Sequence, residues 1–387
     1  MELYSFLELL TPRGQEALAA AETAGDDPVA AVTRLRKTYD ADLTSAALTQ
    51  AGLRRRAVEK FGADAGVMYF TPNGLEQSTR REVADHRARR VPPGSRVADV
   101  CCGIGGDTLA LARAGCVVEA VDADPLTAAV ARANADALGF GDRVTVRAAD
   151  AATVDPSGFD VLFADPARRT ARGRTFDPMA YSPPWPQVLE MARGARAACL
   201  KVAPGIDYAF IPPGAEAEWV SHRGEVKEAA IWCGALAGEV ERRATMLPSG
   251  ATLTPDPKLG TAGHGPVGRY VHEPDGAAIR AHLVAEVADA VGGHLLDPRI
   301  AYITGDGAER TPWAARYEVH ETLPFSLKRL RAALRARGVG NVTIKKRGSA
   351  VDVDRLRKDL RLTGGESAVV ILTRIEERPF ALICTPS

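Results

Sequence analysis

The rhythm of apolar and polar positions changes along the chain. From residue 1 to about 90 the spacing is helical. Phe6, Leu9 and Leu10 precede Thr11-Pro12, a helix start, and residues 17–24, 29–39 and 43–61 keep the same period. Residues 78–90 predict one more helix, rich in arginine, whose charges read mostly as a solvated face. Val91-Pro-Pro-Gly94 then breaks the pattern as a linker. Beyond it, short apolar runs alternate with helical stretches. Strands are predicted from Arg96 to Cys101 and over residues 117–121, 144–148, 159–164, 198–202, 226–232 and 244–247. Helices open at Asp107 and span residues 125–138. This alternation predicts an α/β fold, Rossmann-like, with a seven-stranded sheet and right-handed crossovers.

From about Thr252 the texture changes again. Pro255, Pro257, Gly260, Gly263, Gly265 and Pro266 make a loop-rich passage. A helix over 277–291, a strand over 317–321 and a helix over 326–337 follow. A strand over 341–345, a helix over 353–360 and strands over 367–375 and 380–383 complete an α+β module. The expected organisation is an N-terminal helical region (1–90), an α/β domain (91–255) and the α+β module (256–387).

Composition narrows the classes. A chain of 387 residues, 46% hydrophobic, is long enough for two or three cores. No apolar run reaches membrane-spanning length, so no membrane partner is expected. The start, MELYSFLELL, lacks a basic leader, and a signal peptide is not expected. The six cysteines are scattered, with no Cys-x-x-Cys pair. A reducing cytoplasm fits this usage, and neither a disulfide framework nor a zinc site is expected. The formal net charge is zero, yet basic residues cluster. One cluster is Arg168-Arg-Thr-Ala-Arg-Gly-Arg174. Others are Lys328, Arg329, Arg331, Arg335 and Arg337; Lys345, Lys346 and Arg347; and Arg355, Arg357, Lys358 and Arg361. Basic zones on a neutral protein favour a polyanion partner such as RNA; a solvated loop is the bland alternative for the first.

The candidate chemistry starts at Val97-Ala-Asp-Val-Cys-Cys-Gly-Ile-Gly-Gly-Asp-Thr108. An apolar strand carrying Asp99 stops at Cys101 in a turn with Gly103, Gly105 and Gly106. A helix restarts at Asp107 and Thr108. Open α/β sheets bind nucleotides at such turns. A pyrophosphate would sit at the new helix N-terminus, where Asp107 places a carboxylate. S-adenosylmethionine carries cations and no phosphate, so Asp99 and Asp107 suit it better. The second strand ends at Asp122, next to Ala123, placed for a ribose hydroxyl pair. The third ends at Asp150, next to Ala151, placed for an adenine amino group. Phe70 and Thr71 precede the core domain, where a segment folded over the cofactor is a further expectation.

DVCCGIGGDT, AVDADP, RAAD and FADPAR together resemble motifs I to IV of the class I S-adenosylmethionine-dependent methyltransferases. Within that superfamily they are most similar to the RNA cap guanine-N2 methyltransferases, the trimethylguanosine synthase type. The last module resembles the THUMP-like domain found on some bacterial methyltransferases, through its order of elements and NVTIKKRG. The resemblance implies that Asp165 and the Pro166 carbonyl accept hydrogens of a base amine and turn its lone pair toward the methyl. Asp165-Pro166-Ala167-Arg168 lacks the usual second proline and ring, and Arg168 is read as stacking on a base or holding a phosphate. Ser182-Pro183-Pro184-Trp185 also resembles the transfer motif, but no apolar strand precedes it. Ser182 is read as a helix N-cap, with Tyr181 or Trp185 as a source of the missing ring. The implied function is methyl transfer to RNA at an exocyclic amine. The alternatives are a small-molecule or protein methyltransferase, or an RNA-binding protein that holds the cofactor without transferring.

Overall fold

The computed structural model describes residues 1–387 except 26, 171, 172, 175, 176 and 308, and gives backbone alone for 169, 170, 173 and 174. The chain divides into two compact units. One is Met1–Ala217 with Glu228–Glu241; the other is Glu218–Lys227 with Arg242–Ser387.

The first unit opens with helices α1 (Leu3–Leu9), α2 (Pro12–Glu22), α3 (Pro28–Leu35) and α4 (Ala41–Phe61), then α5 (Pro72–Gln77) and α6 (Arg81–Ala88). Their starts follow from local chemistry. Thr11, Asp27, Asp40 and Thr71 each accept a hydrogen bond from an N–H of the first turn, and proline opens α2, α3 and α5. The sheet follows as β1 (Arg96–Val100), α7 (Gly106–Arg113), β2 (Val117–Asp122), α8 (Pro125–Ala137), β3 (Val144–Ala148) and β4 (Val161–Ala164). Helix α9 (Trp185–Gly194), β5 (Ala197–Val202), β6 (Glu216–His222) and β7 (Glu225–Gly234) complete it. Strands run in the order 3-2-1-4-5, all parallel, and β7 pairs antiparallel with β5. The expected Rossmann-like plan is present in β1 to β5 and β7; β6 is an additional strand, and the expected strand over 244–247 is Arg242–Leu247 of a sheet that counts nine strands among the described residues. One apolar cluster runs from Phe6 and Leu9 through Val97 and Val118 to Trp232, so the N-terminal helices share the core of the sheet.

Strand β6 is missing from the expected set, and its residues explain why. All seven of its positions are buried, yet Glu216 and Glu218 are among them. Glu216 pairs with Arg90, and Glu218 accepts from the Thr245 hydroxyl at 2.5 Å. Buried, paired carboxylates hide a strand from a hydrophobicity pattern.

The second unit continues with β8 (Arg242–Leu247), β9 (Ala251–Leu253), β10 (Tyr270–Pro274), α10 (Gly276–Arg280) and α11 (Val284–Ala290). Then come β11 (His294–Asp297), β12 (Ile300–Gly305), β13 (Ala314–Pro324), α12 (Leu327–Ala336) and β14 (Val339–Lys346). It ends with α13 (Val353–Leu360), β15 (Glu366–Ile375) and β16 (Arg378–Pro386). The single helix expected over 277–291 is two helices, divided at His282, which has φ of 55°. Strands β10, β11 and β12 are not among the expected elements: β10 lies between the loop-rich passage and that helix, and β11 and β12 lie between that helix and the strand expected over 317–321. Seven strands form one sheet in the order β11-β12-β10-β13-β16-β15-β14. Strand β15 shows the period of two directly. Val370 and Leu372 face Leu330, Leu334, Leu356 and Leu360 of α12 and α13, and Val369 and Ile371 face Tyr302 and Tyr317.

Among the described residues, no helix is long and apolar enough to cross a membrane. No disulfide joins any of the six cysteines, all of which are among the described residues.

Candidate active site

The turn after β1 is held open by its backbone. Cys101, Gly103 and Gly105 have φ of 64°, 57° and 88°. A Cβ on Gly103 would meet nothing within 4 Å, because that side faces a cavity, while one on Gly105 would touch Ala131 at 3.5 Å. Asp122, at the end of β2, accepts from the Gly103 N–H and the Asp124 N–H, both at 3.0 Å. Burial pushes its carboxyl above the usual range despite these bonds.

A strap from the N-terminal helices closes the opposite wall. Asn134 of α8 is fully buried and makes three backbone hydrogen bonds. Its Oδ1 accepts from the Tyr69 N–H at 2.6 Å, and its Nδ2 donates to Tyr69 O at 3.0 Å and Ile104 O at 2.9 Å. Gln50 of α4 holds the same strap from behind, through Met68 O at 3.3 Å and the Phe70 N–H at 3.1 Å. Of the two strap residues singled out, Thr71 reaches the cavity. Phe70 is buried against Phe61, with ring centroids 5.5 Å apart. Replacing Asn134 with Leu strands three backbone groups in the core. The expected loss is roughly 3 kcal/mol of stability in urea titrations, with S-adenosylhomocysteine binding weakened in calorimetry.

The cavity between turn and strap measures about 320 Å³, within the range of small-molecule sites. Of the expected cofactor residues, Cys101, Gly103, Gly106, Asp107 and Asp122 form its wall. Asp99, Gly105, Thr108, Ala123, Asp150 and Ala151 stand behind or beside that wall. Asp99 is fully buried beneath it, and Thr108 donates its hydroxyl to Asp99. Burial raises the Asp99 carboxyl well above its ordinary value. Asp150 is exposed and caps the turn at Ala151–Thr153, accepting from Ala152 N–H at 2.8 Å.

Asp107 also differs from expectation. Its carboxylate is occupied by Arg87 of α6 and by Lys201 of β5, the latter at 3.4 Å. Arg87 bridges to Glu228 of β7 as well, and all four side chains are buried. Burial alone would raise the Asp107 carboxyl; Arg87 and then Lys201 bring it below its usual value. The charge argument built on Asp99 and Asp107 therefore does not describe this turn. The arginine-rich helix is not mainly a solvated face either. Arg87 is 3% exposed, and Arg90 stacks on Trp232 at 4.6 Å while pairing with Glu216.

Asp165 stands at the carboxyl end of β4, and Asp165, Pro166 and Arg168 all line the cavity. The Asp165 N–H donates to Val100 O at 3.3 Å, which ties the loop after β4 to the end of β1. Its carboxylate pairs with Lys201. The two motifs that compete in the sequence meet in space. Ala167 and Ser182 form an antiparallel bridge, N–H to O at 2.8 Å one way and 3.0 Å the other. Ser182 is not a helix cap: α9 begins at Trp185, with Pro184 before it and no side-chain cap. Nor does the second motif lend a ring. Trp185 is 2% exposed and donates its indole N–H to Phe210 O at 3.0 Å, and Tyr181 is equally buried. Arg168 is half-buried, and its Nη1 has no hydrogen-bond partner among the described residues. The rest of the basic loop, 169–174, has side chains outside the described residues.

Lys201 and Arg87 are absent from the residues singled out in the sequence, though both carry a signal. Lys201 interrupts the apolar run Ala-Ala-Cys-Leu-Lys-Val. Arg87 falls four residues after Val83, on the buried stripe of α6.

The comparisons with known proteins agree with this architecture. Residues 94–188 match the family model described as RNA cap guanine-N2 methyltransferase, and residues 314–386 match one described as THUMP domain-like. Residues 2–57 match a domain family of unknown function. The chain is similar to an uncharacterized S-adenosylmethionine-dependent methyltransferase of Mycobacterium tuberculosis, in each of two strains. Identity is 39% over 350 residues, covering 87% of this chain and 95% of the relative. Its fold is similar to the crystal structure of a proposed methyltransferase from Porphyromonas gingivalis W83. That match has a TM-score of 0.78 at 21% identity and covers 96% of this chain and 98% of the other. The site suits the cofactor that the family uses: an open glycine face at Gly103, a carboxylate at Asp122 and an enclosing strap at Thr71. The chain belongs to the S-adenosylmethionine-dependent methyltransferases.

Proposed function

We propose that the protein methylates RNA at an exocyclic base amine, with guanine N2 the favoured target. The observation that carries this reading is the position of Asp165-Pro166. The pair ends β4 and shares one cavity wall with the glycine turn of β1. The cofactor supplies an electrophilic methyl group. The protein aligns the amine and excludes water. Asp165 and the Pro166 carbonyl accept the amine hydrogens, which turns the nitrogen lone pair toward the methyl. Lys201 fixes the Asp165 carboxylate from within the core. Cys101, Gly103, Gly106 and Asp122 hold the cofactor, with Asp107 bracing the turn. Arg168 grips the nucleotide.

The second unit presents the RNA. Several of its basic residues are engaged in the fold. Lys345 pairs with Glu273 at 2.6 Å, Arg337 with Glu321 at 2.7 Å, and Arg335 donates to Arg361 O at 2.9 Å. Lys328, Arg329, Lys358 and Arg361 are exposed and have no ion pair among the described residues. They, rather than Lys345, are the cations available to phosphates.

The test offers labelled S-adenosylmethionine and total RNA from a deletion strain to the full-length protein. The expected result is label in RNA, recovered as N2-methylguanosine after digestion. Label that enters only protein or small molecules overturns the reading. Reversing Lys328, Arg329 and Lys358 to Glu is expected to weaken RNA binding about tenfold. It should lower the salt slope by about one for each phosphate that is no longer neutralised, with S-adenosylhomocysteine affinity unchanged.

A further inference from the structure

The acceptor end of the cavity carries an unusual balance of charge. Asp165 and Asp107 flank Lys201 on its wall, Arg168 is its second cation, and Glu76 and Asp122 line the same cavity. Lys201 stands in β5, a strand buried at every position, where an unpaired ammonium is costly. Its Nζ is shared between Asp165 and Asp107, and Asp107 is also held by Arg87. Asp165 therefore reaches the cavity paired from behind with a lysine that it shares with Asp107. The lone pairs that Lys201 leaves free can still accept hydrogen bonds. An alkylammonium reaching Asp165 finds a carboxylate already paired with Lys201 and meets the guanidinium of Arg168. A neutral amine brings no charge, and a phosphate attached to it meets the same guanidinium favourably.

We infer that Lys201 is a positioning and specificity-determining residue. It balances Asp165 so that the site takes an uncharged amine on a phosphate-bearing acceptor and rejects an alkylammonium. The inference rests on the reading of Asp165 as the amine's acceptor, and it narrows the class of substrate.

The methyl donor is a sulfonium cation and the demethylated product a neutral thioether. Their relative affinity reports the local charge with no acceptor present. Calorimetry with S-adenosylmethionine and S-adenosylhomocysteine is run on the full-length wild type, Lys201→Met, Asp165→Asn and the double variant. Lys201→Met is expected to shift preference toward the sulfonium about tenfold, and Asp165→Asn about tenfold toward the thioether. The double variant should return to within about threefold of wild type. Equal preference in all four proteins, or shifts of one sign in both single variants, overturns the inference. If Lys201→Met does not fold, Asp165→Asn decides alone: no shift toward the thioether overturns it. A second arm offers labelled cofactor with poly-L-lysine or with total RNA. Label in poly-L-lysine overturns the rejection of alkylammonium. No label in RNA overturns the proposed function, and the charge cycle still decides the role of Lys201.

Discussion

Asp165→Ala is expected to lower single-turnover methyl transfer roughly 100- to 1,000-fold at saturating cofactor. The expectation follows from where the carboxylate sits. It is the first residue past β4, its own N–H bonds Val100 O, and its side chain lies on the cavity wall. In the proposed role the acceptor amine needs that oxygen only in the aligned complex, so the expected loss falls on turnover and leaves S-adenosylhomocysteine binding within a few-fold. Ser182→Ala is the control. Ser182 meets the transfer loop through its backbone, by the bridge to Ala167, and an alanine keeps that bridge. Rate and melting temperature are expected to match wild type. Full activity in Asp165→Ala would remove Asp165 from the reaction. A dead Ser182→Ala would move the transfer site to the second motif.

Arg87→Met is expected to cost about 3–5 kcal/mol of stability, because it leaves Asp107 and Glu228 as buried carboxylates without their shared partner. The deficit should depend on pH. In the wild type, Arg87 and Lys201 hold the Asp107 carboxyl below its ordinary value of 3.8 against the effect of burial. That contribution is complete above the unfolded value and lost as pH falls through the native one. With Arg87 gone, burial dominates and the native carboxyl titrates above its unfolded value. Stability then declines as pH rises past about 4. The gap between variant and wild type should be smaller at pH 5 than at pH 8. Urea titrations at the two pH values measure it; a gap below about 1 kcal/mol, or one equal at both, rejects the role given to Arg87.

The elements legible in the sequence are those whose side chains obey one rule at a time. Strands β1, β2 and β4 are largely apolar and β3 alternates, and each ends in, or is followed within three residues by, an acid or a glycine. Helix α13 starts on a real Asp352 cap, and its Leu356 and Leu360 mark the inner face, so its bounds match the expected ones. The failures lie where a charge is buried and paired. Lys201, Arg87, Glu216 and Glu218 all sit in the core, and polarity there means a partner elsewhere in the chain rather than exposure. Pairing partners far apart in sequence cannot be read from either one alone. Asp107 shows the same limit: it lines the cavity, and its partners Arg87 and Lys201 arrive from elements 20 and 94 residues away. The two transfer motifs read as rivals because their letters are alike, whereas the fold places them side by side.

The division of the chain into units has a consequence for how the protein is made. The boundary is crossed at residues 217, 227 and 241, so neither unit is a continuous stretch. On the ribosome, the first unit cannot finish when its sixth strand begins. It must wait for Glu228–Glu241, which brings most of β7 and the antiparallel partner of β5. Until then the outer edge of β5, with Lys201 in it, lacks that partner during synthesis. A stop between 217 and 228 would release a unit in which that edge of β5 is bare backbone. Truncations meant to isolate it belong after 241, and the nascent chain is most exposed to misfolding in the interval before that residue emerges.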